Sequence, residues 1–272
     1  MKKAFKTLAL ILAAIMVVMS FASCGGTATA DPSAANDTTA AIAETSPAIA
    51  DGILTVGTNA AFPPFEYAGD DGKPDGFDIA LIKLIGEKIG VEVVIEDLEF
   101  SSLVTSIGNK IDAAIAGMTI TEERLQTVDF STSYYEAMQY VIVKKDNSDI
   151  TTADDLKGKT IGTQLGTTGE FLAEDDIENA NVKTYDKAID AVNDLRNGRV
   201  DAVIIDRNPA SVFVGQYPDE LKIAETVVFD PEEYGIALPK GDAALKTAVD
   251  NALAEIKASG EFDALVEQYI NN

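Results

Sequence analysis

The sequence predicts an α/β fold built as two similar lobes, and three observations carry that reading. Short β-branched apolar runs alternate with segments whose apolar positions recur at three and four residues, the rhythm of βαβ units and parallel sheets. Two segments repeat along the chain: residues 55–59 (TVGTN) resemble 160–164 (TIGTQ), and 112–117 (DAAIAG) resemble 201–206 (DAVIID). Finally, the chain beyond residue 50 is long enough for two lobes of about 100 residues each.

The elements follow in order. Lys2, Lys3 and Lys6 precede an apolar stretch at 8–19, so residues 1–23 are expected to be a signal peptide. Phe21, Ala22 and Ser23 lead to Cys24, the only cysteine, which excludes an internal disulfide. With Gly25 and Gly26 behind it, this site resembles a bacterial lipobox, although Phe21 stands where leucine is usual. Lipidation of Cys24 is therefore expected; plain secretion with an incidental cysteine is the alternative. Residues 24–50, rich in Ala, Thr, Ser and Pro, have no period that could bury a face and read as a tether.

A strand at 53–58 (ILTVGT) leads into a loop at 59–66 that Pro63 and Pro64 keep out of any helix. Asp70, Asp71 and Gly72 mark a turn. Ile79, Ile82, Ile85 and Ile89 predict an amphipathic helix from Phe77, closed by Gly90. A strand at 91–95 follows, then a helix capped by Ser101 through Leu103, Val104 and Ile107, then a strand at 111–116. That strand feeds the segment AGMTITEERLQTVDFS (116–131), which holds Gly117, Met118 and Thr119 before a short helix bearing Arg124. The second half predicts strands at 140–143, 159–163, 182–185, 200–205 and 234–238, a helical turn at 154–156, and helices at 188–196, 243–257 and 262–270. In the loop GTTGE (166–170), Thr167 and Glu170 have capping-box spacing, so its amides would sit at a helix N-terminus.

The chain carries 21 basic and 45 acidic residues, a net charge of -24, which argues against nucleic acid and against direct attraction to anionic lipid. It has no histidine, so Ser-His and Cys-His catalysis and the commonest metal ligand are all excluded. No cofactor or metal is expected.

If equivalent strand ends of two lobes face one another, Asn59 opposes Gln164, and Gly117 with Thr119 opposes Asp206. Arg124 has two readings, a surface partner of Glu122, Glu123 or Asp129, or a receptor for a carboxylate. With Asp206 across a cleft, and Thr119 and the Thr168 amide between them, the second reading gives a receptor for an α-amino acid zwitterion. Phe62 and Phe100 would supply flat apolar walls, with core packing the alternative, above all for Phe100.

Taken together, AAFPPFE (60–66), GFDIAL (76–81), AGMTITEER (116–124), DFSTSYY (129–135), GTTGE, DAVIID and YGIALPKG (234–241) resemble the solute-binding proteins of polar amino acid ABC transporters, the family of the bacterial glutamine and lysine-arginine-ornithine binding proteins. The resemblance implies a two-lobed periplasmic-binding-protein-like fold of type II, each lobe a mainly parallel sheet flanked by helices. Lobe 1 would be 51–139 with 232–272 and lobe 2 144–228, joined by hinge strands at 140–143 and 229–231. It implies a monomeric, non-enzymatic protein, lipid-anchored at the outer face of the cell membrane or periplasmic, that hands an amino acid to permease subunits. By the same resemblance Arg124, Thr119 and Thr168 bind the α-carboxylate, Asp206 and the Gly117 carbonyl bind the α-amine, Phe62 and Phe100 sandwich the side chain, and Asn59 and Gln164 read its end, with Met118 in the same binding segment. Relatives that read cationic or amide ligands commonly carry aspartate at the Asn59 position, so two neutral amides favour a neutral polar ligand here, unless Glu66 or Glu99 supplies a charge. The alternative is an enzyme like the cyclohexadienyl (prephenate or arogenate) dehydratases, for which Glu170 is the available acid.

Overall fold

The computed structural model describes residues 46–271; the signal peptide, Cys24 and the tether up to residue 45 lie outside the described residues. The tether reading is corrected at its end. Residues 46–50 pack on the body, with Ile49 fully buried in a turn at Pro47–Ile49 and Ser46 donating its hydroxyl to Asp242 at 2.7 Å.

Strands β1 (Ile53–Thr58), β2 (Ala61–Phe62), β3 (Glu66–Ala68) and β4 (Pro74–Asp75) precede the helix Phe77–Ile89. The segment expected to be a plain loop is thus a small meander of β2, β3 and β4. The helix matches its predicted span, and Gly90 ends it in the left-handed conformation, φ +77°, donating to the Gly86 carbonyl. Then come β5 (Glu92–Asp97), β6 (Ala113–Ala114), β7 (Val128–Phe130) and β8 (Tyr135–Lys144). The helix expected after Ser101 is a 3-10 turn at Phe100–Ser102 continued by one α-turn at Leu103–Ser106, and Ser101 caps neither; Glu99 holds the N-cap position. The second half supplies β9 (Thr160–Gln164), β10 (Asn181–Tyr185), β11 (Ala202–Asp206), β12 (Leu221–Ile223), β13 (Pro231–Tyr234) and β14 (Ala237–Pro239).

Two mixed sheets result, in the orders β5-β1-β6-β14-β7 and β10-β9-β11-β8-β12, with β13 also paired to β8. In each, the three strands of the βαβ part are parallel, and the antiparallel strands are those by which the chain passes between sheets or returns. The predicted strand 234–238 is two strands, because Tyr234 ends β13 beside β8 while Ala237 begins β14 in the first sheet. Similarly, β8 is ten residues long and serves three partners. Its first half, Tyr135 to Met138, pairs with β13, and Gln139 to Lys144 pairs with β11 and β12.

The internal repeat is a structural one. β5-β1-β6 corresponds to β10-β9-β11, and the same aspartate ties each unit together. Asp112 accepts from the Thr55 amide and Asp201 from the Thr160 amide, both at 2.8 Å. Both sheets are covered on two faces, which is why their strands read as apolar runs. Leu81, Ile82 and Ile85 of one helix and Leu245, Val249 and Leu253 of the helix Ala243–Ser259 pack within the largest cluster, each contributing about 1.5–3 kcal/mol on burial. Phe100, Leu103, Met118, Val128 and Phe130 form another cluster with Ala114 of the first sheet. Among the described residues no helix is long and apolar enough to cross a membrane.

Candidate functional site

The carboxyl ends of β1 and β6 in one sheet and of β9 and β11 in the other border a narrow cavity. Asn59, Phe62, Phe100, Gly117, Thr119, Arg124, Gln164, Thr168 and Asp206 line it, together with Glu66, Ala116 and Thr167. Met118 does not; its side chain is fully buried in the cluster with Phe100 and Phe130.

Arg124 sits on the one-turn helix Glu122–Leu125, whose first turn is capped by Thr121 accepting from the Arg124 amide at 3.2 Å. That turn aims the side chain inward, leaving it 8% exposed. The surface-pair reading fails, since the guanidinium is buried, Asp129 is bound to Lys240 at 2.8 Å, and neither Glu122 nor Glu123 is among the hydrogen-bond partners of Arg124. The guanidinium donates instead to two carbonyls, Thr119 O at 2.6 Å and Gly166 O at 2.9 Å, and lies 5.4 Å from the Phe100 ring centre. Two backbone carbonyls fix its plane without neutralising it, and its remaining N–H groups suit a carboxylate fork. Burial lowers its pKa, against the opposing pull of Glu232 and Asp206, and a guanidinium stays charged throughout.

Asp206 ends β11 and faces the cavity from the other sheet, accepting from the Tyr234 hydroxyl at 2.7 Å. Burial, and then the negative charge of Glu232, push it up to about 7. An ammonium beside it would favour its ionised form. Tyr234 is held by an aromatic cluster behind the cavity, where Phe65 meets Tyr234 and Tyr135 edge-on at 5.2 and 5.0 Å. Gly117 adopts φ +51°, and a Cβ there would stand 2.9 Å from Phe62, so only glycine permits this approach of wall and backbone.

At one end of the cavity Gln164 donates to the Asn59 side-chain oxygen at 2.9 Å and to the Asp186 carbonyl at 3.0 Å, and Asn59 donates to the Leu98 carbonyl at 2.8 Å. The two amides are therefore tied to one another across the sheets. Glu170 accepts from the Gly166 amide and does not line the cavity, so the acid on which the enzyme alternative depended is turned to a structural bond.

Two acids acquire weight that the sequence reading did not give them. Glu232, on β13, accepts from Thr119 at 2.7 Å, Thr168 at 2.8 Å and Gln139 at 3.3 Å, joining hydroxyls from both sides of the cavity. Its neighbour Glu233 is exposed, and strand alternation in the pair EEY was the signal that could have found it. Glu66 was one of two reserve charges. It is fully buried and lines the cavity, whereas Glu99 is exposed.

Comparison with known proteins places this geometry. Residues 54–272 match the family of bacterial extracellular solute-binding proteins, family 3. The L-cystine-binding protein TcyJ of Escherichia coli (strain K12) is 38% identical over 220 residues, covering 80% of this chain and 82% of that protein. The structure of an ancestral arginine-binding protein bound to arginine is similar, at 43% identity and a TM-score of 0.75, covering 80% of this chain and 98% of that one. An ancestral arginine-binding protein bound to glutamine is also similar, at 42% identity and a TM-score of 0.75, covering 81% and 99%.

Proposed function

The chain belongs to the bacterial extracellular solute-binding proteins, family 3, and from that premise we propose that it binds an L-α-amino acid as the external component of an ABC transporter. The observation that carries this reading is the placement of one buried arginine, on a one-turn helix, and one buried aspartate, at a strand end of the other sheet, around a single cavity. Arg124 takes the α-carboxylate with help from Thr119 and Thr168, and Asp206 with the Gly117 carbonyl takes the α-ammonium. Each charge-assisted bond contributes about 1.5–3 kcal/mol net, so a zwitterion engaging both ends is held tightly once water is excluded.

Phe62 and Phe100 flank the ligand side chain and the Asn59–Gln164 pair meets its tip. Those amides suit a neutral polar side chain, while Glu66 admits a cationic one, so both classes belong in the ligand set. The names of relatives support this breadth: one of the similar structures holds arginine and another glutamine.

The two sheets are the cores of two lobes that close on the ligand, hinged where β8 and β13 run side by side at Tyr135 to Met138 and Pro231 to Tyr234 and not at the expected 140–143 and 229–231, because Gln139 to Lys144 pair within the second sheet. Closure delivers the amino acid to permease subunits, and Cys24, if lipidated, tethers the protein at the outer face of the membrane. A thermal-shift screen of the L-amino acids tests the reading. Arginine and glutamine should both raise the melting temperature, since binding only to the folded state stabilises it; if no amino acid does so, the proposal fails.

A further inference from the structure

Behind the cavity wall lie two carboxyl groups without a counter-charge. Glu66, on β3, and Asp78, in the first turn of the helix Phe77–Ile89, are each fully buried and stand within hydrogen-bonding reach of one another. One oxygen of Asp78 accepts from the Gly117 amide and from the Tyr134 hydroxyl, both at 2.8 Å. Its other oxygen and both oxygens of Glu66 have no donor among the described residues. The further groups that bear on Glu66 are Asp206 at the end of β11 and Asp97 at the end of β5, both acids, and the phenols Tyr134 and Tyr234. None of these is a base, and Arg124, which lines the same cavity, is set against Glu232 and Asp206 and not against Glu66.

Two ionised carboxylates in hydrogen-bonding contact, away from water and without a cation, are strongly unfavourable, and such pairs retain a proton. One proton on Glu66 also supplies the donor that the neighbouring Asp78 oxygen lacks. Burial and then the Asp78 charge raise the Glu66 pKa well above its ordinary value; burial holds Asp78 at about 6, since its two donors favour the ionised form. Glu66 faces the cavity and Asp78 does not. We propose that Glu66 and Asp78 hold one proton between them, and that a cationic ligand side chain entering the cavity displaces that proton to solvent whereas a neutral side chain leaves it in place.

The balance is one cation in and one proton out, so the charge of this end of the site is the same with either ligand class. This rests on the amino acid assignment above and adds to it the reason a cavity whose tip carries only amides can admit a guanidinium. It also makes the two ligands respond differently to pH. A binding step that releases a proton tightens as pH rises, by up to about tenfold per unit while the pair remains protonated. Asp206 titrates beneath either ligand, so the neutral amino acid serves as its control.

The test is calorimetry of L-arginine and L-glutamine binding near pH 7 in two buffers of different ionisation enthalpy, which counts the protons exchanged. Arginine should release about half to one proton more than glutamine. Glu66→Gln should remove that difference and lower the arginine-to-glutamine affinity ratio by about tenfold or more, and Asp78→Asn should shrink the difference. Equal proton counts for the two ligands in the native protein overturn the proposal, as does binding of glutamine without arginine. Absence of binding by any amino acid overturns it together with the assignment beneath it, which separates the two failures.

Discussion

Replacing Glu232 with glutamine should widen the pH range over which the protein holds an amino acid. Asp206 is held at about 7 by burial first and by the Glu232 charge second. A ligand ammonium needs the carboxylate, so below that value affinity should fall about tenfold per pH unit. Glu232→Gln removes the charge and keeps the shape, and an amide oxygen still accepts from the Thr119 and Thr168 hydroxyls that bond this position at 2.7 and 2.8 Å. Burial remains, so Asp206 should descend while staying above the ordinary carboxylate range. Calorimetry with L-glutamine, whose side chain does not titrate, should show the native protein losing about fivefold in affinity between pH 7, where half of Asp206 is ionised, and pH 6, and the variant less than about threefold. Superimposable profiles would refute the coupling between the two acids.

Other consequences follow from the same buried charges and packing. Asp206→Asn should weaken amino acid binding by about 100-fold or more. At pH 8 the same change should stabilise the unliganded protein by roughly 1–4 kcal/mol, because the raised pKa makes the ionised group a native-state cost there. Stability contributed by protonated Asp206 is present at low pH and is lost as pH rises through about 7. The melting temperature of the unliganded native protein should accordingly fall between pH 6 and 8, and that fall should shrink in Asp206→Asn. Gly86→Ala sets helix propensity, worth about 1 kcal/mol, against a Cβ placed 2.3 Å from Val93. Overpacking typically costs about 1–3 kcal/mol, so the variant should melt lower; a higher melting temperature would show that the strand yields.

Much of the fold was legible because local signals and tertiary demands coincide. The isoleucine spacing and Gly90 define the helix Phe77–Ile89 to the residue, and the repeated aspartates of DAAIAG and DAVIID mark equivalent strand starts. What escaped has physical reasons. No element was placed over the helix Arg207–Gln216, which carries Pro209 in its first turn, where the missing N–H costs nothing. The break between Tyr234 and Ala237 is invisible to periodicity, which reports an apolar run and not the sheet it joins. Arg124 and Asp206 could be named from the repeat, since equivalent strand ends face one another. Glu232 was signalled only by the alternation along EEY and Glu66 only as a reserve charge, while the pairing of Glu66 with Asp78 could not be read, because its weight comes from the burial of two acids side by side, and burial is a property of the assembled fold.

The central claim is that one molecule is gripped at both ends, and Arg124→Ala is its most direct measurement. The guanidinium's partners in the fold are two carbonyls and one ring, so the unliganded variant should remain folded with a melting temperature within a few degrees of native. Losing a two-bonded carboxylate fork removes about 3–6 kcal/mol, on the order of 100-fold to 10,000-fold in affinity. Calorimetry with L-arginine and L-glutamine should therefore register no binding at ligand concentrations that saturate the native protein. Affinity retained within about tenfold by a folded variant would contradict the account.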